Sequence, residues 1–155
     1  MFEPPVAGEG ATGLTTIAVT RTKDKEVLVR DLGADEVVAD GEALRAAGGA
    51  DVILATSNSM TSTGDTLKGL RPDGRLILMG LSSSDRLEVP ADLLLTRGRI
   101  IGSQQNGREY LYEALDYAAK GKVKVIAETY PLKEIGRAYE RVANGKVRFR
   151  AVITD

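Results

Sequence analysis

Short apolar runs recur along this chain, and polar stretches separate them. The longest runs occupy residues 16–20, 51–56 and 75–80. Such runs, apolar at consecutive positions, are typical of strands buried on both faces of a parallel sheet. Shorter runs predict further strands at residues 36–39, 87–89, 99–103, 125–130 and 147–154.

The stretches between these runs carry helix signals. Thr22 can cap a helix over residues 24–32, and Gly33 ends it. Leu111, Leu115 and Ala118 follow helical spacing within residues 107–120. Further helices are predicted at residues 41–47, 61–70, 90–97 and 132–143, and a turn at residues 71–74. Alternating strands and helices indicate an α/β fold, a parallel sheet with helices on both faces.

The pattern also divides the chain. Residues 1–14 are rich in Gly and Pro and predict a flexible lead-in, residues 15–124 the α/β domain, and residues 125–155 a tail where the alternation loosens. The lead-in contains GEGATG at residues 8–13, which matches G-x-G-x-x-G. A dinucleotide loop needs a strand before it and a helix after it, and here a strand follows. We therefore favour a flexible segment over a phosphate loop.

The composition of the chain argues against several classes of function. With 21 Lys and Arg against 22 Asp and Glu, the net charge is −1, which gives no support to a nucleic-acid or membrane-surface role. The sequence has no Cys and no His, which excludes thiolate chemistry, His bases and zinc sites with nitrogen or sulfur ligands. It contains neither a membrane span of roughly 18 apolar residues nor a signal peptide, so we expect a cytoplasmic location.

An ordered series of segments resembles the nicotinamide-cofactor domain of the medium-chain dehydrogenase/reductase superfamily, in its zinc-dependent alcohol dehydrogenase branch. The resemblance covers residues 14–154. It is carried by LTTIAVTRTKDKEVLVRDLGADEVV (14–38), ADVILAT (50–56), LKGLRPDGRLILMGL (67–81), RGRIIGSQQNGREYLYEALDYAAKGKVK (97–124) and AETYPLKEIGRAYERVANGKVRFRAVIT (127–154).

The resemblance implies a Rossmann-like, doubly wound parallel sheet that is N-terminally truncated. Family members carry a catalytic half before this region, with the zinc ligands and most of the substrate pocket. The first strand of the cofactor domain and the helix after its glycine loop are also missing here. In the strand order 3-2-1-4-5-6 that first strand is central, so we expect the sheet to lack its middle.

Arg21, Thr22 and Lys25 follow the first predicted strand, at the sheet edge where ligands of open α/β folds bind. The resemblance places the ribose of a nicotinamide dinucleotide there. Cationic and hydroxyl groups suit the 2′-phosphate of NADP(H), and residues 20–23 carry no acid that would select NAD(H). NADP(H) is therefore favoured over NAD(H). The alternative is a solvated loop with a helix cap.

Other strand ends supply further candidates. The resemblance implies cofactor contacts at the ends of three later strands, where ordinary loop residues are the alternative. A glycine there would let the cofactor approach the backbone closely. The candidates are Thr56, Ser57, Met79, Gly80, Leu81, Ser103, Gln104 and Gln105.

The resemblance also implies a homodimer through the edge strand from Arg99 to Ser103, because an apolar edge is a template for pairing. The alternative is that a local loop covers this edge. In the family this tail packs partly on the catalytic half. Because that half is absent here, we expect several apolar side chains of the tail to be exposed. They are Ile126, Tyr130, Leu132, Val152 and Ile153.

Two functions follow. The first is the NAD(P)(H)-binding portion of a zinc-type alcohol dehydrogenase or aldehyde reductase, whose reaction is hydride transfer between nicotinamide and an alcohol or carbonyl carbon. This chain alone would not catalyse it, because no zinc ligand is present. The second is a non-catalytic, self-associating α/β module that binds no nucleotide.

Overall fold

A computed structural model describes residues 13–20, 22–80, 86–103, 107–123 and 125–155. Strands and helices alternate through them. The strands are β1 (Ile17–Val19), β2 (Glu36–Val38), β3 (Ala50–Ala55), β4 (Leu70–Leu78), β5 (Arg99–Gly102), β6 (Glu128–Pro131) and β7 (Ala151–Thr154). The α-helices are α1 (Lys23–Asp31), α2 (Gly41–Ala46), α3 (Met60–Thr66), α4 (Asp92–Leu95), α5 (Arg108–Ala119) and α6 (Ile135–Ala143), with 3₁₀ turns at Leu67–Gly69 and Leu132–Glu134.

Every strand pair in the described residues is parallel, which confirms the predicted α/β class. The strands form three sheets rather than one: β1 with β2, then β3-β4-β5, then β6 with β7. Within the described residues β1 and β3 each keep one edge without a partner strand. A sheet of order 3-2-1-4-5-6 without its central strand separates in this way, into two strands and three.

One core joins the first two sheets. Its buried side chains come from β3, β4 and the helices that cover them, and they are Leu44, Ile53, Ala55, Leu67, Leu76 and Leu93. Ile17 of β1 and Val38 of β2 pack against the same cluster. Both sheets therefore present one face to a common core, although no ladder among the described residues joins them.

Two predicted elements differ from the structure. Residues 87–89 form no strand; this segment lies over α3, where an added side chain at Gly64 would approach the Glu88 carbonyl oxygen to 3.0 Å. The predicted turn at 71–74 lies inside β4 as a bulge. Ala50 pairs with Leu70, whereas Val52 pairs with Arg75, so the extra residues loop out of the ladder.

The last sheet and α6 form a parallel crossover unit. Ala138 of α6 and Tyr130 of β6 are buried, so the expectation that Tyr130 would be exposed is wrong. Its ring lies in the unit's own interior, where its hydroxyl has polar partners. The expected exposure of Leu132, Val152 and Ile153 is confirmed, and Ile126 is half-buried. That this tail packs on a catalytic half stays a prediction.

Candidate functional site

The carboxyl end of β1 leads directly into α1. Thr22 occupies the N-cap position in an extended conformation, and its carbonyl oxygen accepts hydrogen bonds from the backbone N–H groups of Lys25 and Glu26, both at 3.1 Å. The Thr22 side chain is exposed and makes no capping bond. The predicted cap position is thus confirmed, and its hydroxyl group stays available for a ligand. Lys25 is half-buried, and Arg21 lies outside the described residues.

The carboxyl ends of β3 and β4 touch. The backbone N–H groups of Met79 and Gly80 both donate to the carbonyl oxygen of Ala55, at 3.0 Å each. A β-carbon on Gly80 would lie 2.7 Å from the carbonyl oxygen of Thr56 and would also collide with that of Ser57. Gly80 is therefore required by the approach of the chain's own backbone. The expectation that this glycine also lets a cofactor approach the backbone stays a prediction.

Serine side chains organise the loop after β3. The Ser57 hydroxyl accepts a hydrogen bond from the Ser59 N–H at 3.0 Å, and the Ser59 hydroxyl caps α3 by accepting from the Ser62 N–H at 3.3 Å. Thr56 and Ser57 are half-buried. Sequence reasoning missed the cap at Ser59, although serine at the start of a helical stretch is its usual signal.

The end of β5 continues the same edge. The Ser103 N–H donates to the carbonyl oxygen of Leu78 at 3.0 Å, which extends the β4–β5 ladder, and its side chain is exposed. Thr56, Gly80 and Ser103 therefore lie at one edge of one sheet, as predicted. Thr22 follows β1, a strand of the other sheet, and caps α1. Leu81, Gln104 and Gln105 lie outside the described residues.

A cleft of about 370 Å³ lies at the opposite, amino-terminal edge of β3 and β4. Its cations are already engaged within the fold. Arg71 donates from Nε to the Gly48 carbonyl oxygen at 2.7 Å and from Nη1 to Asp51 at 2.9 Å, and Lys68 pairs with Asp65 at 2.8 Å. None of the predicted site residues lines this cleft, and its polar groups serve local structure.

The crossover unit of β6, α6 and β7 contains a network of charged and polar side chains around Glu128. The Glu128 carboxylate accepts from the Arg148 N–H at 2.9 Å, from the Tyr130 hydroxyl, and from Arg141 Nη2 at 2.9 Å. These contacts, the backbone bond from Arg148 first, lower the pKa of Glu128 to about 2. Sequence reasoning missed this cluster, although Glu128 and Tyr130 share one face of β6. The polar groups of this cluster are hydrogen-bonded to one another. The cluster therefore has a structural role: it connects β6, α6 and the segment before β7.

The side chains present do not fit a zinc site. No group of three Asp, Glu, His or Cys residues in the described ranges is placed to hold a metal ion, and the sequence offers carboxylates alone. Among the described residues, no helix combines the length and the apolar character that crossing a membrane requires.

Comparison with known proteins gives one consistent result. The profile of the family described as zinc-binding dehydrogenase matches residues 8–120. The alcohol dehydrogenase notN of Aspergillus sp. (strain MF297-2) is 35% identical over 148 residues, which are 92% of this chain and 43% of that protein. An alcohol dehydrogenase of Geobacillus stearothermophilus is 34% identical over 150 residues, again 92% of this chain and 44% of that protein.

Solved structures agree with the sequences. The alcohol dehydrogenase of the archaeon Aeropyrum pernix superposes with a TM-score of 0.83 at 29% identity, over 93% of this chain and 44% of that one. The chain therefore spans less than half the length of the relatives it matches.

Proposed function

This chain belongs to the zinc-binding dehydrogenase family, and we propose that it is the nicotinamide-dinucleotide-binding portion of a zinc-type alcohol dehydrogenase or aldehyde reductase. The observation that carries the proposal is the shared carboxyl edge of β3, β4 and β5. It holds Thr56, Gly80 and Ser103 where ligands of open α/β sheets bind. Met79, exposed beside Gly80, supplies apolar surface for a ring.

The adenosine-phosphate end would bind at α1. The N-terminus of this nine-residue helix carries partial positive charge, the Thr22 hydroxyl makes no capping bond, and Lys25 lies in the first turn. These groups fit a phosphate on the ribose. Arg21, which directly precedes Thr22 in the sequence, would add a guanidinium group that can pair with the same phosphate. NADP(H) is therefore the cofactor we propose, in preference to NAD(H).

The bound nicotinamide would supply hydride transfer to or from an alcohol or carbonyl carbon. In this chain Thr56, Ser57 and Ser103 would orient the dinucleotide through their hydroxyl groups. With no Cys and no His in 155 residues, the chain offers only carboxylates to a zinc ion, and no group of three in the described residues is placed to hold a metal. We propose that these residues bind the cofactor without catalysing the reaction, and that the chain is cytoplasmic.

A calorimetric titration with NADPH and with NADH tests the proposal. We expect NADPH to bind with a dissociation constant in the millimolar range or lower. Lys25→Ala and Arg21→Ala should each weaken NADPH binding about tenfold and leave NADH binding nearly unchanged, because they would lose a charged phosphate contact. Arg45→Ala, an exposed cation at the opposite edge, is the matched control. No binding at saturating cofactor would contradict the proposal.

Catalysis is tested separately. The purified chain, with zinc and NADP⁺ added, should not oxidise a panel of primary and secondary alcohols. Substantial zinc-dependent turnover would overturn the non-catalytic assignment.

A second candidate is a self-associating module that binds no nucleotide. The extent of exposed apolar surface favours it: α5 buries no residue, and Leu111 and Leu115 are each more than half exposed. Self-association together with silent NADPH and NADH titrations would select this candidate.

A further inference from the structure

The cleft at the amino-terminal edge of β3 and β4 has the size of a small-molecule site. Its volume of about 370 Å³ lies within the range of roughly 300–1,000 Å³ that ligand pockets occupy. It is bordered by the chain after α2, the 3₁₀ turn before β4, the bulge of β4, and α4. The residues of the proposed nucleotide site lie elsewhere, so a ligand in this cleft would be a second and separate one.

Part of the cleft surface is apolar. Leu67 and Leu93 line it and are buried, and Leu70, which also lines it, is half-buried. Pro72 and Pro90 line it at exposed positions. These side chains carry no hydrogen-bonding group, so they suit the hydrocarbon part of a ligand better than a hydrated ion.

The charged residues of the lining are mostly positive. Arg45, Lys68 and Arg71 line the cleft, and among the described residues Asp92 is the one acid that does. The carboxylates that pair with these cations lie outside the lining; they are Glu42, Asp65 and Asp51. A cleft lined mainly by one sign of charge attracts ligands of the opposite sign. The lining therefore favours an anion.

The fold holds Arg71 in place and leaves part of its guanidinium group unused. Nε donates to the Gly48 carbonyl oxygen at 2.7 Å and Nη1 to Asp51 at 2.9 Å, whereas Nη2 has no hydrogen-bond partner among the described residues. A β-carbon at Gly49 would lie 3.1 Å from Arg71 Cγ, so glycine makes room for this side chain. A guanidinium group that is already oriented loses less entropy when it binds a carboxylate.

Lys68 is oriented in a similar way. Its Nζ lies 2.8 Å from Asp65 Oδ1, and Asp65 Oδ2 accepts from the Gly41 N–H at 2.9 Å. One hydrogen bond occupies only part of an ammonium group, which has other N–H donors for a ligand. Arg45 Nη1 lies 3.8 Å from Glu42 Oε2, beyond hydrogen-bond distance. The cations of the lining can therefore serve the local structure and an anion at the same time.

The bulge of β4 explains why Arg71 reaches the cleft. Ala50 pairs with Leu70 and Val52 with Arg75, so residues 71–74 leave the ladder, and Arg71 is the first of them. β-Bulges are over-represented next to functional sites, where they redirect side chains. The irregular segment of the strand is thus the segment that brings a guanidinium group to the cleft.

We propose that this cleft is a binding site for a small organic carboxylate. Its carboxylate group accepts a hydrogen bond from Arg71 Nη2, Lys68 and Arg45 add positive charge, and its hydrocarbon part lies on Leu67 and Leu93. Hydrogen bonds between arginine and a carboxylate are charge-assisted and stronger than neutral ones. The site goes beyond nucleotide binding and does not depend on it, because none of the residues of the proposed nucleotide site lines the cleft.

Phenylacetate and hexanoate are the probes, in calorimetric titrations of the full chain. We expect at least one of them to bind with a dissociation constant in the millimolar range, which suits a ligand of about ten non-hydrogen atoms. The corresponding neutral amides lack the charge and acetate lacks the apolar part, so each should bind at least about tenfold more weakly. No binding of either probe would overturn the proposal, and so would equal affinity for the amides or for acetate.

Two-dimensional NMR locates the bound probe. The amide signals of Gly48, Gly69 and Thr96 should shift on binding, and those of Thr56 and Ser103 should not. Shifts at Thr56 and Ser103 alone would place the probe at the opposite edge of the sheet and overturn the proposal. NADPH added to the same sample should not displace the probe, so a failure of nucleotide binding leaves this outcome unaffected.

Variants test the cations. Arg71→Lys keeps the charge but loses the planar fork, and Lys68→Gln removes a charge but keeps a donor for Asp65. Each should weaken probe binding at least about threefold. Arg137→Gln removes an exposed cation of α6 that pairs with Glu134, and should leave the affinity unchanged. Urea midpoints show that each variant folds. Equal affinities of the three variants and the unmodified chain would overturn the proposal.

Discussion

Asp73 and Arg97 form a two-pronged ion pair although both have left-handed backbone conformations. Arg97 donates from Nε to Asp73 Oδ1 at 2.7 Å and from Nη2 to Oδ2 at 2.6 Å, and the φ angles are 61° and 57°. The Asp73 N–H also donates to the Thr96 carbonyl oxygen at 2.8 Å. The bulge in β4 and the turn before β5 therefore hold each other in conformations that most residues avoid.

A double-mutant cycle tests this pair. Asp73→Asn and Arg97→Asn both tolerate the left-handed region but remove the ion pair. Each should lower the urea midpoint at pH 7, and the double variant should lose less than the sum of the two. Because the pair is exposed, salt should screen it. The coupling free energy should therefore be smaller in 1 M salt, about ten times the usual ionic strength. Additive losses at low salt would contradict the pairing.

Gly80→Ala should destabilise the fold by about 1–3 kcal/mol, because the added methyl group collides with the carbonyl oxygens of Thr56 and Ser57. Gly102→Ala is the matched control, since a β-carbon there meets nothing within 4 Å. Its effect should stay within about 0.5 kcal/mol. Chemical unfolding measures both. Similar values for the two variants would contradict the close approach of β3 and β4.

Glu128 should make the stability of the fold depend on pH in the acidic range. Its pKa is lowered from 4.5 to about 2 in the folded chain, mainly by the Arg148 N–H. A depressed carboxyl pKa stabilises the fold fully above the unfolded value, and this stability is lost as pH falls from about 4.5 toward 2. The urea midpoint of Glu128→Gln should vary less over this window than that of the unmodified chain. Glu140→Gln, exposed in α6, should follow the unmodified chain.

Thr63→Val should leave stability unchanged or raise it by about 1 kcal/mol, because it removes a buried hydroxyl that has no hydrogen-bond partner in the described part of the chain. Thr61→Val makes the same substitution at an exposed position of α3 and should change stability by less than about 0.5 kcal/mol. Thermal unfolding measures both. A loss at Thr63 greater than that at Thr61 would mean that the hydroxyl has a stabilising contact.

The β5 edge should mediate dimerisation. Because the Ser103 N–H bonds to β4, Ile100 and Gly102 turn their N–H groups to the free side of β5. We expect pairing with a second β5, and a species of twice the monomer mass in sedimentation. Ile101→Lys should dissociate it by placing like charges at the symmetric contact, whereas Leu94→Lys should not. A monomer at high concentration would refute this interface.

The strands were the predictable part of the fold. Long apolar runs gave β1, β3 and β4 within a residue or two at most ends, because a buried parallel strand has an unmistakable pattern. The separation into three sheets was not predicted, because how the remaining strands pair without the central one depends on tertiary packing. The bulge in β4 was less predictable, because the Asp73–Arg97 pair joins residues 24 positions apart.

The site was predictable in its placement but not in its details. Strand ends in a parallel sheet meet at one edge, so Thr56, Gly80 and Ser103 had to lie together. What Gly80 touches depends on how far β3 and β4 extend. The burial of Tyr130 likewise depends on Arg141, which is 11 residues away, and no local pattern reports such a contact.

Helix α5 has a thermodynamic consequence. Twelve residues without a buried side chain form a helix that gains little from packing in the described structure, and isolated helices of this length are marginal. Their helix–coil equilibrium shifts gradually with temperature rather than in one step. Far-ultraviolet circular dichroism should therefore show a sloping decline well below the main unfolding transition, and occupation of the exposed face that carries Leu111 and Leu115 should flatten that slope.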